Sequence, residues 1–361
     1  MTQAPAPSTT LRFNKHLDGA HGYVPEWLGL DRSRYLRLDR NESTQPVPEH
    51  VVRALSGYVA GRGVHAYPDA ERLAGPLAAY CGVAPEWILT TNGSDQAIDL
   101  SLRAFLDEGS RLLVARPEFS IFTHVCAIVG AQVVGVPFQD DLSFPYTEFR
   151  AAAASSAPDL IVIINPNNPT GTPVTTEFIF EIASSYPNVP VIVDEAYYEF
   201  TGRSVTRLIS SYHNIVVLRT FSKAFAMAGL RFGYIVAVPS VIEQIAKLRN
   251  PFDVNELAVV AAEAQLADLE PMHRYVQQIV NESKQIVTGF CQRKGIPVWP
   301  GEANFALIKP QDCRGAVEFL RDHGILVRSM SGALLQGMLR VTMGTPGEMT
   351  RFTQVLEEYL V

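Results

Sequence analysis

A lysine placed just after a predicted buried strand is the side chain with the clearest chemical potential in this sequence. The apolar run at residues 215–218 has the length and β-branched content of a buried strand, and Lys223 follows it closely. Ser222 precedes this lysine, and Arg231 lies eight positions after it. An amine near a hydroxyl and a guanidinium suits a ligand with both an aldehyde and a phosphate, although a lysine in a surface loop would look similar in isolation. Lys223 would form a Schiff base with the aldehyde, while Ser222 and Arg231 bind the phosphate.

Polar residues also follow two other predicted strands. Residues 165–171 come directly after the apolar run at 160–164, and residues 194–197 come directly after the run at 189–193. Ligands of open α/β sheets bind outside the carboxyl ends of the strands. We therefore expect an amide, a carboxylate and the Lys223 amine to meet at one edge of a sheet.

Short apolar segments alternate with helical patterns between about residues 85 and 240, which predicts an α/β sheet with crossover helices. The predicted strands of this part cover residues 111–115, 160–164, 189–193, 215–218 and 232–238. Several are apolar at every position, as parallel strands covered on both faces should be. Residues 95–106 place Ile98, Leu102 and Phe105 on one face of a helix.

The pattern changes after Pro251. Residues 255–291 predict one or more long helices with an interruption near Pro271, and strand-like segments follow at 304–308, 325–328 and 339–343. A chain of 361 residues is too long for one compact core. We therefore predict an N-terminal arm at residues 1–45, a large domain with a mostly parallel sheet at 46–254, and a smaller α+β domain at 255–361 that the arm helps to complete.

Composition and charge argue against several classes of protein. Hydrophobic residues make up 47% of the chain and charged residues 19%, which is typical of a globular protein. A formal net charge of −7 argues against nucleic acid as the main partner, because phosphate backbones bind basic surfaces. No apolar run approaches the thickness of a bilayer, and the first ten residues lack the apolar core of a signal peptide. We therefore expect a cytoplasmic protein that does not enter membranes.

The cysteines give no indication of a metal or disulfide site. Cys81, Cys126, Cys291 and Cys313 are widely separated and form neither a CxxC pair nor a cluster with zinc spacing. We expect reduced, mostly buried thiols and no bound metal.

Three motifs in this order resemble a known enzyme family. They are NPNNPTG at residues 165–171, DEAY at 194–197 and SKAFAMAGLR at 222–231. The combination resembles the fold type I pyridoxal phosphate enzymes, specifically the class I/II aminotransferases, and within that group the histidinol-phosphate aminotransferases. The resemblance extends from residues 38–42 to residues 339–345. It implies the fold type I architecture, bound pyridoxal 5'-phosphate, a small amino acid or amine as substrate, and a homodimer.

The resemblance also implies roles around the cofactor. Asp194 would face the ring nitrogen, and Phe119 would stack on the ring at a position where the family more often has tyrosine. Asn168 and Tyr197 would hold the phenolic oxygen. Two groups of residues would surround the phosphate. Gly93, Ser94 and Asp95 lie at a predicted helix N-terminus, and Thr220, Ser222 and Arg231 lie around the lysine. Asp194 could instead cap a helix, and Asn168 could be a turn residue.

Other matches concern the partner subunit and the substrate. Tyr67 matches a tyrosine that reaches the cofactor phosphate of the neighbouring subunit, which implies a shared active site. Arg340 matches an arginine that binds the substrate α-carboxylate in a bidentate pair, although a strand arginine in an ion pair would fit too. Once displaced by substrate, Lys223 would move protons between the substrate Cα and the cofactor. The other residues expected to face the substrate are Tyr23, Glu26, Asn41, Asp253 and Arg328.

Two departures from the family pattern bear on the substrate. A Pro-Tyr-x-Pro-Gly element appears here as GYVPE at residues 22–26, and a Pro-Tyr-Asn-Val-Asn element appears as PFDVN at 251–255. Glu26 and Asp253 would repel a substrate phosphate and would suit a cationic side chain, unless both face solvent. His16 and His21 could act as bases or lie at the surface.

The leading prediction is a pyridoxal phosphate-dependent aminotransferase, with a basic substrate side chain as a further hypothesis. The same cofactor residues would serve a cyclase or eliminase that acts on a hydroxylated arginine-type amino acid, or a decarboxylase. A regulator built on an aminotransferase-like domain is disfavoured, because the candidate cofactor set is complete.

Overall fold

The computed structural model of the chain describes residues 11, 13–19, 26, 27, 29–61 and 64–360. Its strands are β1 (Leu36–Leu38), β2 (Ile88–Thr91), β3 (Arg111–Arg116), β4 (Gln132–Pro137), β5 (Leu160–Ile164), β6 (Val191–Asp194), β7 (Ile215–Thr220), β8 (Gly233–Val236), β9 (Val298–Trp299), β10 (Phe305–Ile308), β11 (Ile325–Ser329) and β12 (Leu339–Thr342). Its α-helices are α1 (Glu49–Gly61), α2 (Ala74–Cys81), α3 (Gly93–Phe105), α4 (Ile121–Val129), α5 (Tyr146–Ser156), α6 (Thr176–Ser185), α7 (Pro239–Ala246), α8 (Glu256–Ala267), α9 (Glu270–Gln278), α10 (Lys284–Lys294), α11 (Cys313–Asp322) and α12 (Pro346–Leu360). Short 3-10 helices lie at Lys15–Gly19, Arg32–Arg34, Ala70–Leu73, Pro85–Trp87, Tyr198–Phe200, Thr206–Ser211 and Ala228–Leu230, and a π-helical turn at Ile279–Ser283 joins α9 to α10.

The larger of the two sheets has the strand order β2–β8–β7–β6–β5–β3–β4. β8 is antiparallel to both of its neighbours, whereas the pairs from β7 to β4 are parallel. Helix α4 connects β3 to β4, α5 connects β4 to β5, and α6 connects β5 to β6, whereas two 3-10 helices lie between β6 and β7. The mostly parallel α/β sheet is therefore confirmed.

The continuous apolar character of the central strands follows from burial on both faces. In β5, Ile161 and Ile163 pack into one hydrophobic cluster, while Leu160 and Val162 pack into a second cluster on the opposite face. The second cluster also contains Ile98 of α3. Because successive side chains of a strand point to opposite faces, two covered faces require apolar residues at every position.

The neighbouring order of β5, β6 and β7 brings their ends to one edge of the sheet. Ile164 of β5 is in register with Asp194 of β6, and Asp194 is in register with Leu218 of β7. All three strands run in the same direction, so the segments that follow them emerge together. The expected meeting of the three polar segments at one edge is confirmed at the level of the backbone.

A second sheet has the strand order β1–β11–β12–β10–β9 and is largely antiparallel. Its edge strand β1 comes from the N-terminal part of the chain and pairs in parallel with β11. Helices α10, α11 and α12 pack against one another or against this sheet. The helical interruption expected near Pro271 is also present, because this proline lies in the first turn of α9. The domain limits at residues 46 and 254 stay a prediction.

The described residues contain neither a helix that could span a membrane nor a cluster of side chains that could hold a metal ion. None of the helices described here has the length and apolar character needed to cross a bilayer. Within the same residues, no group of three or more His, Cys, Asp and Glu side chains is arranged to hold a metal ion. The four cysteines are free thiols, and Cys313 is the one that is partly exposed.

Candidate active site

A cavity of about 460 Å3 opens at the carboxyl ends of β5, β6 and β7, and part of its wall comes from β11 and β12. It brings together most of the residues to which the sequence assigns a role. Those that line it are Asn41, Ser94, Asp95, Phe119, Asn168, Asp194, Tyr197, Ser222, Lys223, Arg231, Arg328 and Arg340. Its volume is in the range of small-molecule sites.

We call the side of the cavity formed by the large sheet and the start of α3 its floor, and the side formed by β11 and β12 its wall. Lys223 lies on the floor, just beyond the end of β7. Its Nζ donates to the backbone carbonyl of Arg40 at 3.2 Å and lies 5.8 Å from the ring centroid of Tyr197. Burial lowers the pKa of the amine to about 8, and the positive charge of Arg340 adds to this effect. About a tenth of the amine is therefore neutral at pH 7, and the neutral amine is the form that attacks a carbonyl carbon.

Asp194 ends β6 and places a buried carboxylate in the same floor. One of its oxygens accepts the backbone N–H of Ala196 at 3.1 Å. Burial raises the pKa of the carboxyl to about 7, and the negative charges of Asp95 and Glu195 also raise it. A cationic N–H group in the cavity would offset the cost of burial and keep the carboxylate ionised.

The hydroxyl of Tyr197 is oriented by two amide side chains. It accepts a hydrogen bond from Nδ2 of Asn41 at 3.0 Å and another from Nδ2 of Asn168 at 3.3 Å. Burial raises the pKa of this phenol to about 12, so it stays protonated at neutral pH. Since both acceptor positions of the hydroxyl are used, its proton can be donated to an oxygen of a ligand in the cavity.

The start of α3 and the segment after β7 form a site suited to an anion. A helix N-terminus offers backbone N–H groups and the positive end of the helix dipole. Ser94 and Ser222 add hydroxyls, and Arg231 adds a guanidinium that lies 2.9 Å from Asp95. Gly233 permits the close approach of β8, because a Cβ there would lie 2.7 Å from Ser94 N.

Two predicted residues lie beside the cavity rather than in its lining. Gly93 has φ +75°, and a Cβ at this position would lie 2.5 Å from Nη2 of Arg231, so glycine leaves room for the guanidinium. Thr220 is buried, and its hydroxyl contacts the hydroxyl of Ser222 at 2.9 Å. Gly93 and Thr220 therefore act on the cavity indirectly, through their contacts with Arg231 and Ser222.

Two arginines face the cavity from the second sheet. Arg328 of β11 and Arg340 of β12 are directly opposite each other in the antiparallel register. Arg340 donates to Oδ1 of Asn168 at 2.8 Å and to the backbone carbonyl of Asp39 at 3.1 Å. Arg328 lies 3.8 Å from the carboxylate of Glu26. These contacts hold two guanidinium groups at one wall of the cavity.

The structure places several predicted substrate residues elsewhere. Asp253 does not line the cavity; its carboxylate accepts hydrogen bonds from Gln96 and from the backbone N–H of Asn250. Glu26 does not line it either. Burial raises the pKa of its carboxyl above the usual value, although the positive charge of Arg328 opposes this shift. Neither carboxylate lines the cavity, although Glu26 contacts Arg328, which does. The cationic substrate side chain stays a prediction.

Tyr67 and His16 do not line the cavity of their own chain. Tyr67 is 79% exposed and stacks on Phe252 with ring centroids 4.2 Å apart, away from the cavity. Tyr23 and His21 lie outside the described residues. His16 lies 3.6 Å from Glu108, outside the cavity lining.

The cavity also has lining residues to which the sequence assigned no role. They are Arg40, Glu42, Pro117, Glu118, Ser120, Pro169, Ala196, Ala228, Met330, Ser331 and Leu335. Glu42 pairs with Arg32 at 3.0 Å, and Glu118 pairs with Arg116 at 3.2 Å. Met330 and Leu335 belong to the segment between β11 and β12, where no motif or periodicity pointed to them. Glu42 was within reach of sequence reasoning, because it adjoins Asn41.

Comparisons with known proteins give a consistent result. The family model "Aminotransferase class I and II" matches residues 33–356. The histidinol-phosphate aminotransferase of Thermoanaerobacter sp. (strain X514) is 34% identical over 312 residues, which cover 86% of this chain and 88% of that protein. Histidinol-phosphate aminotransferase 1 of Carboxydothermus hydrogenoformans is 37% identical over 328 residues, which cover 90% of this chain and 93% of that protein.

The fold is likewise similar to a solved structure. The crystal structure of histidinol-phosphate aminotransferase from Sinorhizobium meliloti, in complex with pyridoxal-5'-phosphate, superposes with a TM-score of 0.86. It is 26% identical in sequence, and the match covers 98% of this chain and 99% of that chain.

Proposed function

Because the chain belongs to the class I and II aminotransferases and is a pyridoxal phosphate-dependent enzyme, we propose that it transfers the amino group of a small amine that carries an anionic group beside the amino-bearing carbon. The observation that carries this proposal is the pair formed by Arg328 and Arg340 at the wall of the cavity. Histidinol phosphate is the first candidate for this amine, and an α-keto acid is the acceptor that returns the cofactor to its starting form.

The side chains of the cavity floor fit pyridoxal phosphate. The start of α3, Ser94, Ser222 and Arg231 supply the donors that a phosphate needs, and Gly93 leaves room for the guanidinium. The cofactor carries an aldehyde for a neutral amine and a ring nitrogen for a buried carboxylate. Lys223 and Asp194 supply these two groups.

Each residue of the floor has a task in the proposed reaction. When bound, pyridoxal phosphate supplies an electron sink for the carbon that bears the amino group. Asp194 holds a proton on the ring nitrogen, and Tyr197 with Asn168 hydrogen-bonds the phenolic oxygen. Phe119, which lines the cavity, packs on the ring. Lys223 anchors the cofactor and, as a free amine, moves the proton to and from the substrate carbon.

The two arginines favour an anionic substrate group over a cationic one. Like charges directly opposite each other on adjacent strands repel, and an anionic substrate group between them would reduce this repulsion beyond what Glu26, 3.8 Å from Arg328, achieves. Guanidinium groups bind carboxylates and phosphates through pairs of parallel hydrogen bonds. A phosphate carries more charge than a carboxylate, so two arginines suit it better. The names of the curated relatives support histidinol phosphate in particular.

We further propose a homodimer with a shared active site, in which Tyr67 reaches the cofactor phosphate of the partner subunit. Tyr67 and Phe252 form an exposed aromatic stack that a partner subunit would cover. A cytoplasmic location, expected from composition, belongs to the same proposal.

A half-reaction assay with single amines tests the proposed substrate. The purified enzyme is mixed with histidinol phosphate, glutamate, arginine or phenylalanine, and the conversion of bound pyridoxal phosphate to pyridoxamine phosphate is followed by absorbance. We expect conversion with histidinol phosphate and glutamate and the release of the matching keto product. Consumption of arginine alone, with the bound pyridoxal phosphate kept in its aldehyde form and no keto acid released, would contradict the proposal and support a cyclase or eliminase. Release of CO2 would support a decarboxylase.

A further inference from the structure

The reverse face of the large sheet carries a buried ion pair that the proposed reaction does not use. Side chains alternate between the two faces of a strand, so Glu195 points away from Asp194, and Arg219 points away from Thr220. The side chains of Arg219 and Glu195 are 2% and 0% exposed. Nε and Nη2 of Arg219 lie 3.0 and 2.9 Å from Oε2 of Glu195.

Further polar contacts enclose this pair. Glu195 accepts the backbone N–H of Val205 through Oε1 and the hydroxyl of Ser204 through Oε2, both at 2.8 Å. The guanidinium carbon of Arg219 lies 3.6 Å from the ring centroid of Tyr198. The other acceptors around the guanidinium are Ser204, Thr206, Tyr234 and Cys81. Such a complete set of partners fixes both side chains.

The pair joins the two strand ends that carry the reactive groups. Glu195 directly follows Asp194, the last residue of β6, and Arg219 lies within β7, four residues before Lys223. The backbone N–H of Glu195 donates to the carbonyl of Leu218 at 2.9 Å, so the two strands are also held by their main chains at this level. A shift of either side chain on the reverse face would therefore move a group on the cavity face.

We propose that the Arg219–Glu195 pair is a positioning unit that holds Asp194 and Lys223 in register and keeps the region beneath the cofactor electrically balanced. This inference rests on the proposed roles of Asp194 and Lys223. Either charge alone would act on the cavity through an interior of low dielectric constant, where one uncompensated charge has a large effect. A lone glutamate would favour protonation of the groups above it, and a lone arginine would oppose it.

Other charged and titratable side chains surround both Lys223 and the Arg219–Glu195 pair. Those that face Lys223 are Glu42, Asp95, Asp194, Tyr197, Arg231 and Arg340. Those that surround the ion pair are Tyr80, Cys81, Tyr198, Glu199 and Tyr234. Burial raises the pKa of Glu199 to about 8, so this carboxyl is largely neutral at neutral pH and adds little charge to the pair.

The test compares Glu195→Gln with the double variant Glu195→Gln/Arg219→Met. Both are saturated with pyridoxal phosphate, and the pH midpoint of the visible absorption band is measured. The single variant leaves the arginine charge uncompensated, so the midpoint should fall by about 1 pH unit. The double variant removes both charges and should return the midpoint close to that of the wild type. Glu181→Gln, which breaks the exposed pair with Arg150, is the matched control and should cause no shift.

An unchanged midpoint in Glu195→Gln, or a double variant shifted as far as the single one, would overturn the inference. If either variant fails to fold, Arg219→Lys decides, because it keeps the charge but loses the two-nitrogen contact with Glu195. This variant should keep the wild-type midpoint and bind pyridoxal phosphate about tenfold more weakly. Equal cofactor affinity would exclude a positioning role. A wild-type protein without any cofactor band would instead refute the proposed function.

Discussion

The floor and the wall of the cavity are built in different ways. Four residues of the floor, Asp194, Ser222, Lys223 and Arg231, come from the single segment 194–231, which begins at the end of β6 and continues past β7. The wall combines Asn41, from the N-terminal part of the chain, with Arg328 of β11 and Arg340 of β12, from its C-terminal part. A cofactor site of this kind is specified by local motifs, whereas a substrate site depends on the pairing of distant segments.

The two regions also differ in their charges. On the floor, Arg231 lies beside Asp95, and Lys223 shares the cavity with the carboxylate of Asp194. On the wall, Arg328 and Arg340 oppose each other across two strands. The floor therefore places its cations beside carboxylates, and the wall, where Glu26 lies 3.8 Å from Arg328, presents two adjacent guanidinium groups that suit an anionic substrate. Variants of the floor should affect every substrate, and variants of the wall should discriminate between substrates.

The largest effect is expected from Asp194→Asn on the floor. An amide cannot hold a proton on the ring nitrogen as a carboxylate does, so kcat should fall by about 1,000-fold for all amines. Steady-state kinetics with histidinol phosphate and glutamate measure this directly. A fall in kcat of less than tenfold, or a fall confined to one of the two amines, would contradict the expectation that floor residues serve every substrate.

A smaller and substrate-dependent effect is expected from Arg340→Lys on the wall. Lysine keeps the charge but cannot form the bidentate pair, so kcat/KM for anionic amines should fall by about 100-fold. The affinity for pyridoxal phosphate, measured by absorbance titration, should stay within about twofold of the wild type. A comparable loss of cofactor affinity would place Arg340 on the cofactor side instead.

Arg328→Gln should affect the two substrates to different degrees. If two guanidinium groups serve a dianion, this variant should lower kcat/KM for histidinol phosphate by about tenfold more than for glutamate. The two substrates are compared in the same half-reaction assay. Equal losses for both would mean that Arg328 does not distinguish phosphate from carboxylate.

The smallest effect concerns the pH at which the apoprotein takes up its cofactor. The neutral amine is the reactive form, and burial lowers the pKa of Lys223 to about 8. The rate of colour formation after addition of pyridoxal phosphate should therefore rise with pH, with a midpoint near 8. Stopped-flow absorbance measures this rate. A midpoint near that of an exposed lysine, about 10.4, would contradict the burial of the amine on the floor.

Sequence reasoning was most successful where burial dictates every residue. The strand at residues 160–164 was predicted with its observed limits. Both faces of β5 are covered, so every residue in it is apolar, and polar residues begin directly before and after it. The strands β1, β2, β4 and β9 were missed. β9 has two residues, and β4 is partly exposed along most of its length, so neither shows a clear apolar run.

The same contrast separates the two parts of the site. The residues of the floor follow strands and carry recognisable motifs, and the structure brings them into one cavity. Asp253 was expected to face the substrate, but its carboxylate is used by Gln96 and Asn250. The position of Asp253 in the sequence could not reveal this, because Gln96 belongs to the distant helix α3 and Asn250 approaches only through the local fold of the chain. The individual roles of the site residues remain predictions.

The most direct test of the central claim is the absorption spectrum of Lys223→Ala mixed with pyridoxal phosphate. The matched control is Lys284→Met, because Lys284 is also buried with its pKa lowered to about 8 by burial but donates to the Gly301 carbonyl away from the cavity. We predict that the Lys223 variant lacks the visible band of the covalently held cofactor and that the Lys284 variant keeps it. Retention of the band in Lys223→Ala would contradict the assignment of the anchor.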